Sequence, residues 1–352
     1  MADFPYTTRD LLEVVQGPKF KAPSYFRDTF FGNVRISRAK EIMFDKLPSG
    51  DRAVAPYINR RVGGKRIDLQ GYSTEMYTPP VVGNSFVVTP EDGFLRAPGK
   101  TEYEATGSDT FLDYQIKDGL TRIENMISRR EELMCAQALI NGHIEVKGEG
   151  VEDDIQYWSQ LDTAEQPVLN LGTKWTESTS ALQVMKDLSA AADVIVERCG
   201  QAPTRLICGA RVYQTLLAIL GESKVLDIRN ANLGSVAPAD RGAGIRYLGY
   251  LPEPGVEIVC YSGRYADADG NITKLIPDDT CVLVASNLDT VMAYGAMAVG
   301  WEASGVPAIV TGTRFAFERQ HDSLEQGRAI YLHSCPLPIL QSTNGFLVIK
   351  AV

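Results

Sequence analysis

The sequence predicts an α+β protein dominated by one long helix. Three observations carry this. Residues 108–141, SDTFLDYQIKDGLTRIENMISRREELMCAQALIN, set Ile116, Leu120, Ile123, Ile127 and Met134 three, four or seven apart, with Leu139 and Ile140 closing the row. That is the spacing of a helix with one buried stripe. Residues 49–100 are rich in β-branched and aromatic residues, with frequent Gly and Pro and no helical period. The second half of the chain is mostly short apolar runs separated by turn residues, which read as strands of a largely antiparallel complement.

Residues 1–48 read as an arm. Thr7-Thr8 can cap a short helix, RDLLEVVQ, which Gly17-Pro18 ends. The next stretch, KFKAPSYFRDTFFG, mixes Phe20, Tyr25, Phe26, Arg27, Phe30 and Phe31 among charges and small residues. Aromatic and Arg anchors are enriched at interfaces, so these six residues are expected to contact a neighbouring subunit. The competing expectation is that they pack on the body of their own chain. Residues 49–100 read as an extended two-stranded β loop. Its dense basic cluster is Arg60, Arg61, Lys65 and Arg66 around Gly63-Gly64. A lone two-stranded ribbon is marginally stable in water, so the loop should lie on a partner surface. The bland alternative for the cluster is a solvated turn.

The long helix follows, within a segment of residues 101–160. Ser108, Asp109 and Thr110 are N-cap candidates, and Asn141-Gly142 is a stop. A helix of this length extends roughly 50 Å, more than the roughly 30 Å width of a small domain, which fits a spine along which other elements lie. Gly119 costs about 1 kcal/mol against Ala and marks a place where the spine can bend. HIEVKGEG and VEDDIQYWS suit a hairpin. Residues 161–300 are mixed. Residues 178–200 read as a helix with Leu182, Met185, Leu188, Ile195 and Cys199 on one face and Gly200 as its stop. TRLICG is a buried strand, RVYQTLLAILGE a third helix, and IRYLGYL and GVEIVCYSGRY are strands. Residues 301–352 continue as β segments.

Composition excludes several classes. The chain has 352 residues, 44% apolar and 22% charged, and no run of 18 apolar residues, so no membrane span is expected. The opening MADFPYTTRD lacks a basic-then-apolar leader, which predicts folding in the cytoplasm. Net charge is −9, distributed as +4 over residues 1–100 and −13 over the rest. An acidic body without a basic stripe does not read DNA sequence. The six cysteines (Cys135, Cys199, Cys208, Cys260, Cys281, Cys335) form no C-x-x-C pair and read as buried thiols. His143, His321 and His333 lack metal-ligand spacing, and no nucleophile elbow or phosphate-binding glycine loop occurs. No catalytic residue, cofactor or metal is therefore expected. Asp267, Asp269, Gly270 and Asn271 resemble part of a calcium loop, but Ile276 stands where its bidentate Glu belongs. The adjacent carboxylates Glu131-Glu132 and Asp153-Asp154 are expected on solvated faces.

Two projections that need partners favour an assembly subunit over a free enzyme. Specific residues then point to a family. Near the beginning stand Tyr6-Thr7-Thr8, Leu11-Leu12, Lys19-Phe20-Lys21, Pro23, Phe26-Arg27 and Phe30-Phe31. The loop has Gly71, Ser73-Thr74-Glu75 and Thr78-Pro79, and the helix Arg130-Glu131-Glu132-Leu133 with Ala136-Gln137. Later come Thr173, Trp175, Val259, Tyr261-Ser262-Gly263, Tyr265, Gly270, Pro277-Asp278, Thr280, Val282-Leu283, Ser334 and Pro336-Leu337. In these the chain resembles the major capsid proteins of tailed bacteriophages, phage lambda type (capsid protein E family).

The resemblance implies the tailed-phage and herpesvirus major capsid fold. Its parts would be an N-terminal arm (1–48), an extended β loop (49–100), a peripheral domain with the spine helix (101–160) and an axial domain (161–300). A C-terminal β segment (301–352) would be shared between the last two. It also implies a shell of hexamers and pentamers that encloses double-stranded DNA without reading its sequence, expands on packaging, and meets scaffold, portal and decoration proteins. Assembly would occur in the host cytoplasm and the product would be the virion head. An encapsulin-like compartment shell is the alternative with the same fold, and an α+β enzyme without a recognisable motif is the alternative from another class.

Overall fold

The long apolar row folds as its period requires. In a computed structural model the described residues are 23–46, 73–91, 108–148, 150–159, 161–163, 166–222, 244–267, 270–301, 307–320 and 327–352. The expected helix RDLLEVVQ, Phe20, and the cluster Arg60, Arg61, Lys65 and Arg66 lie outside them.

In chain order come α1 (Tyr25–Phe30), β1 (Val34–Ile36), β2 (Ile42–Lys46), β3 (Ser73–Tyr77), β4 (Val82–Val88), α2 (Ser108–Ile140), β5 (His143–Gly148) and β6 (Val151–Gln156). There follow β7 (Val168–Asn170), α3 (Ala181–Cys199), β8 (Pro203–Cys208), α4 (Ala210–Glu222), β9 (Ile245–Leu251) and β10 (Val256–Tyr261). Next are β11 (Arg264–Ala266), β12 (Ile272–Lys274), β13 (Thr280–Ala285), β14 (Thr290–Tyr294), β15 (Met297–Trp301) and β16 (Pro307–Val310). The last four are β17 (Phe315–Gln320), β18 (Arg328–Ser334), β19 (Pro336–Leu340) and β20 (Phe346–Lys350). The chain divides into two units. One is Met1–Ile42, Met76–Met134 and Met292–Pro338, and the other is Met43–Glu75, Cys135–Val291 and Ile339–Val352.

In the first unit Ile116, Leu120, Ile123 and Ile127 of α2 pack on Ala316, Ile330 and Leu332, with Val82, Phe86 and Val88 beside them. The receiving surface is the antiparallel sheet β17-β18-β4. This corrects the expected extent of the extended loop. Val82–Val88 is no part of a free ribbon, because it pairs along β18 from Val82↔Ser334 to Val88↔Arg328. Its apolar residues on one face, Val82, Phe86 and Val88, are what α2 requires for burial. Helix α2 runs through Gly119 without a break. A Cβ there would come within 2.7 Å of Phe86 Cε1, so the absent side chain lets the Phe86 ring lie directly on the helix backbone. β1 runs parallel to β14, from Val34↔Met292 to Ile36↔Tyr294.

In the second unit a six-stranded mixed sheet, β7-β20-β13-β8-β10-β9, forms the core. Every residue of β13 is buried, as expected for a central strand covered on both faces. Val184, Leu188, Ala191 and Ile195 of α3 and Val212, Leu216 and Leu220 of α4 share this core with Leu206, Ile258 and Leu283. Ser180 caps α3 by accepting from the Gln183 N–H at 3.3 Å, one of the orphan donors of a first helical turn. Leu182, expected in the buried row, is 62% exposed. At 100° per residue it falls well away from Leu188 around the helix. The hairpin β5-β6 pairs from His143↔Gln156 to Gly148↔Val151. Ahead of it, Gly142 (φ 76°) closes α2. Its missing side chain admits the Trp158 ring, and the indole N–H donates to the Ala138 carbonyl at 3.1 Å. β2 and β3 form a two-stranded sheet flanking residues 47–72.

Candidate functional site

The least ordinary chemistry in the first unit lies on α2. Glu124 and Glu131 are seven residues apart, close to two turns, and so share a face. Glu132 lies one position on. Glu131 and Glu132 are buried, at 0% and 1% exposure, against the expectation of a solvated face. The physical reason is the sequence that follows. From Leu133 to Ile140 nearly every residue is buried, so a charge entering this run must find partners inside the protein.

Glu131 finds them in Arg314, Arg27 and Tyr294. Arg314 stands just before β17, and its Nη1 and Nη2 donate to Glu131 Oε1 and Oε2 at 2.7 and 3.1 Å. Its Nε and Nη2 donate to Glu124 Oε2 and Oε1 at 2.7 and 3.0 Å. One guanidinium thus forks two carboxylates, the geometry that favours Arg over Lys. Its Nη1 also reaches the Thr313 carbonyl at 2.9 Å and Ser334 Oγ at 3.3 Å. The Tyr294 hydroxyl donates to Glu131 Oε1 at 3.1 Å, and Arg27 Nε lies 3.3 Å from Glu131 Oε2.

Glu132 does something different. Its Oε1 accepts from the Phe26 N–H at 2.8 Å and its Oε2 from the Arg27 N–H at 2.9 Å. These are free donors of the first turn of α1. Ser24, at the N-cap position, makes no capping bond with its side chain; its Oγ donates to Asp28 instead, at 2.6 Å. A carboxylate more than a hundred residues away therefore supplies the cap that the local sequence does not, and negative charge at a helix N-terminus is favourable.

The electrostatics follow from geometry. Burial opposes the charge on Arg314, but Glu131 and the bonds to Glu124 outweigh it, and its pKa rises. Arg27 behaves alike, with burial overcome chiefly by Glu131. Both guanidiniums stay charged throughout the physiological range. Burial, and then the Glu131 carboxylate, push the Tyr294 hydroxyl up to about 12. The cluster holds backbone and charge in place; nothing in it activates a nucleophile.

The expected site residues divide sharply. Phe26 and Phe31 are 0% and 1% exposed within a single chain. Both side chains are enclosed by their own chain, so a single copy leaves them little surface to offer a neighbour. Arg27 is likewise engaged with Glu131 of its own chain. Tyr25 and Phe30 are half-buried and pack edge to face, 6.0 Å between ring centres. Gly119 is the close approach to Phe86 described above. Glu124, Glu131, Glu132, Tyr294 and Arg314 were missed as a group, although Glu131 and Glu132 lie in one of the patches that carried the family resemblance.

Among the described residues no group of three or more His, Cys, Asp or Glu is placed to hold a metal ion. No described helix is long and apolar enough to cross a membrane. The model of the phage major capsid protein E family matches residues 7–351. The chain belongs to the phage major capsid protein E family.

Solved structures agree in fold. A protein assigned as the capsid protein of a prophage of E. coli CFT073 is similar at a TM-score of 0.70 and 20% identity, over 99% of both chains. A phage-related protein from Bordetella bronchiseptica RB50 is similar at a TM-score of 0.51 and 14% identity, covering 97% of this chain and 96% of its own. No curated protein matches the chain. As a member of the capsid protein E family the chain is a capsid shell protein with the tailed-phage major capsid fold. Its role is structural and its place is the virion head.

Proposed function

We propose that copies of this chain assemble as hexamers and pentamers into an icosahedral head around double-stranded DNA, beginning in the host cytoplasm, and that the shell expands as DNA enters. The observation that carries the reading is the family match over residues 7–351. The cluster adds a mechanical element. Glu132 and Glu131 fix α1 to the chain's own α2, and on this reading Phe20 is the arm's contact with the neighbouring subunit. Tyr25 and Phe30, half-buried, extend that contact surface at the root. The extended loop, through Arg60, Arg61, Lys65 and Arg66, meets the acidic surface of the next subunit. Scaffold, portal and decoration proteins are the remaining partners. The bend of the spine at Gly119 belongs to the same reading. Sliding Phe86 along the bare helix backbone would let α2 change curvature as subunits rotate on expansion.

Truncation tests the arm. Removing residues 1–22 leaves Phe26, Arg27 and Phe31 in place, and the chain is expected to stay folded and monomer-like while electron microscopy shows no closed particles. Removing residues 1–31 also takes Arg27 from Glu131 and the Phe26 and Arg27 N–H donors from Glu132 and opens the core, and this longer deletion is expected to be insoluble. Normal shells from the shorter deletion would refute the arm's role.

A further inference from the structure

Three of the six cysteines stand in one row across the centre of the six-stranded sheet. Cys281 of β13 faces Cys208 of β8, and Cys208 faces Cys260 of β10. All three are fully buried. The two pairs differ in kind. β8 and β13 are antiparallel, and the Gly209 N–H donates to the Thr280 carbonyl at 2.9 Å. Because hydrogen-bonded and non-hydrogen-bonded pairs alternate along an antiparallel ladder, Cys208 and Cys281 form a non-hydrogen-bonded pair, the type whose Cα atoms lie about 4.5 Å apart. That falls within the about 4.4–6.8 Å that a disulfide spans. Facing side chains of such a pair leave the same face at closest approach. Cys260 is held otherwise. Its strand is parallel to β8, and its sulfur accepts from Arg246 Nη2 at 3.7 Å.

We propose that Cys208 and Cys281 are a latent disulfide, thiols in the newly folded chain that join across the sheet when a peroxide reaches them. One thiol takes an oxygen atom from the peroxide to become a sulfenic acid, releasing one water. The second thiol displaces the hydroxyl, forming the S–S bond and releasing a second water. Two cysteines lose two electrons and two hydrogens, and one hydrogen peroxide is reduced to two waters. Burial, and then the neighbouring Cys281 thiol, hold Cys208 well above the ordinary thiol range. Since the thiolate is the reactive form, closure is slow in the folded state. A reducing cytoplasm keeps such a pair open. The timing, closure after particles leave the cell, rests on the shell reading; the chemistry does not. The bond would join β13 to β8 in mid-sheet, alongside the backbone bonds of their ladder.

The test treats purified full-length wild-type protein, assembled or not, with graded hydrogen peroxide. It is then quenched in acid, unfolded, and alkylated at its remaining thiols. The expected result is loss of two of the six thiols, a mass lower by two hydrogens, and a non-reduced peptide joining Cys208 to Cys281. Cys260→Ser should keep the link and Cys281→Ser should abolish it. If either variant fails to fold, the wild-type peptide map decides alone. Six alkylated cysteines after treatment that already oxidises methionine would overturn the proposal, as would a Cys208–Cys260 link. Failure of shells to form, with the link present, would count only against the timing.

Discussion

Two buried regions of this chain are held together by opposite means. Around Glu131 two guanidiniums, three carboxylates and one phenol interlock through directional bonds. In the centre of the six-stranded sheet Leu206, Ile258, Leu283 and Leu347 pack with no polar side-chain bonds among them. An apolar contact loses free energy in proportion to the area removed. A buried ion loses most when one partner goes, because the remaining charge stays desolvated. The sheet therefore tolerates imperfect neighbours, whereas the cluster admits one arrangement of α1 and α2. Burying charge is a poor route to stability. It is a good way to specify where a six-residue helix attaches.

The largest expected effect tests that asymmetry. Arg314→Leu leaves Glu124 and Glu131 without their shared partner and should destabilise the chain by about 3–5 kcal/mol, measured by urea unfolding. Leu283→Ala, in the fully buried central strand, should cost about 3 kcal/mol through lost transfer energy and a cavity. The two differ in a second readout. Arg314→Leu should also expose the segment from residue 23 to 31 to limited proteolysis, since Glu131 loses its geometry and Arg27 its fixed partner. Leu283→Ala should leave that segment protected. Equal protection in both variants would mean that the cluster does not specify the position of α1.

The same contrast explains what could be read from the sequence. The apolar stripe of α2, its stop before Gly142 and the strands β8 and β10 all follow from neighbours a few residues away, where period and turn chemistry operate. The cluster does not. Arg314 and Glu131 are 183 positions apart, and a Glu pair on a helix carries no local sign of such a partner. Phe26 and Phe31 illustrate the same limit. An aromatic segment that needs a surface is written the same way whether that surface belongs to its own chain or the next. What could have signalled Glu131 and Glu132 is the uninterrupted burial-prone run LMCAQALI after them, on a helix whose solvated face has by then closed.

The smallest effect isolates one bond of the cluster. Tyr294→Phe removes the hydroxyl that donates to Glu131 at 3.1 Å, while both arginines keep their contacts. A loss of about 0.5–1.5 kcal/mol is expected at neutral pH. The alkaline limb is more telling. Folding raises the Tyr294 pKa from 10.0 to about 12, so between these values the unfolded chain has released a proton that the folded chain still holds. Stability must then fall with rising pH. The contribution is complete below pH 10 and is lost as pH climbs towards 12. Other groups titrate there too, but they are common to both proteins, so the advantage of wild type over Tyr294→Phe should shrink across this window and reverse towards pH 12. A constant difference from pH 9 to 12 would show that the phenol is not held neutral by burial and Glu131, and that Tyr294 is not part of the interlocked seat of α1.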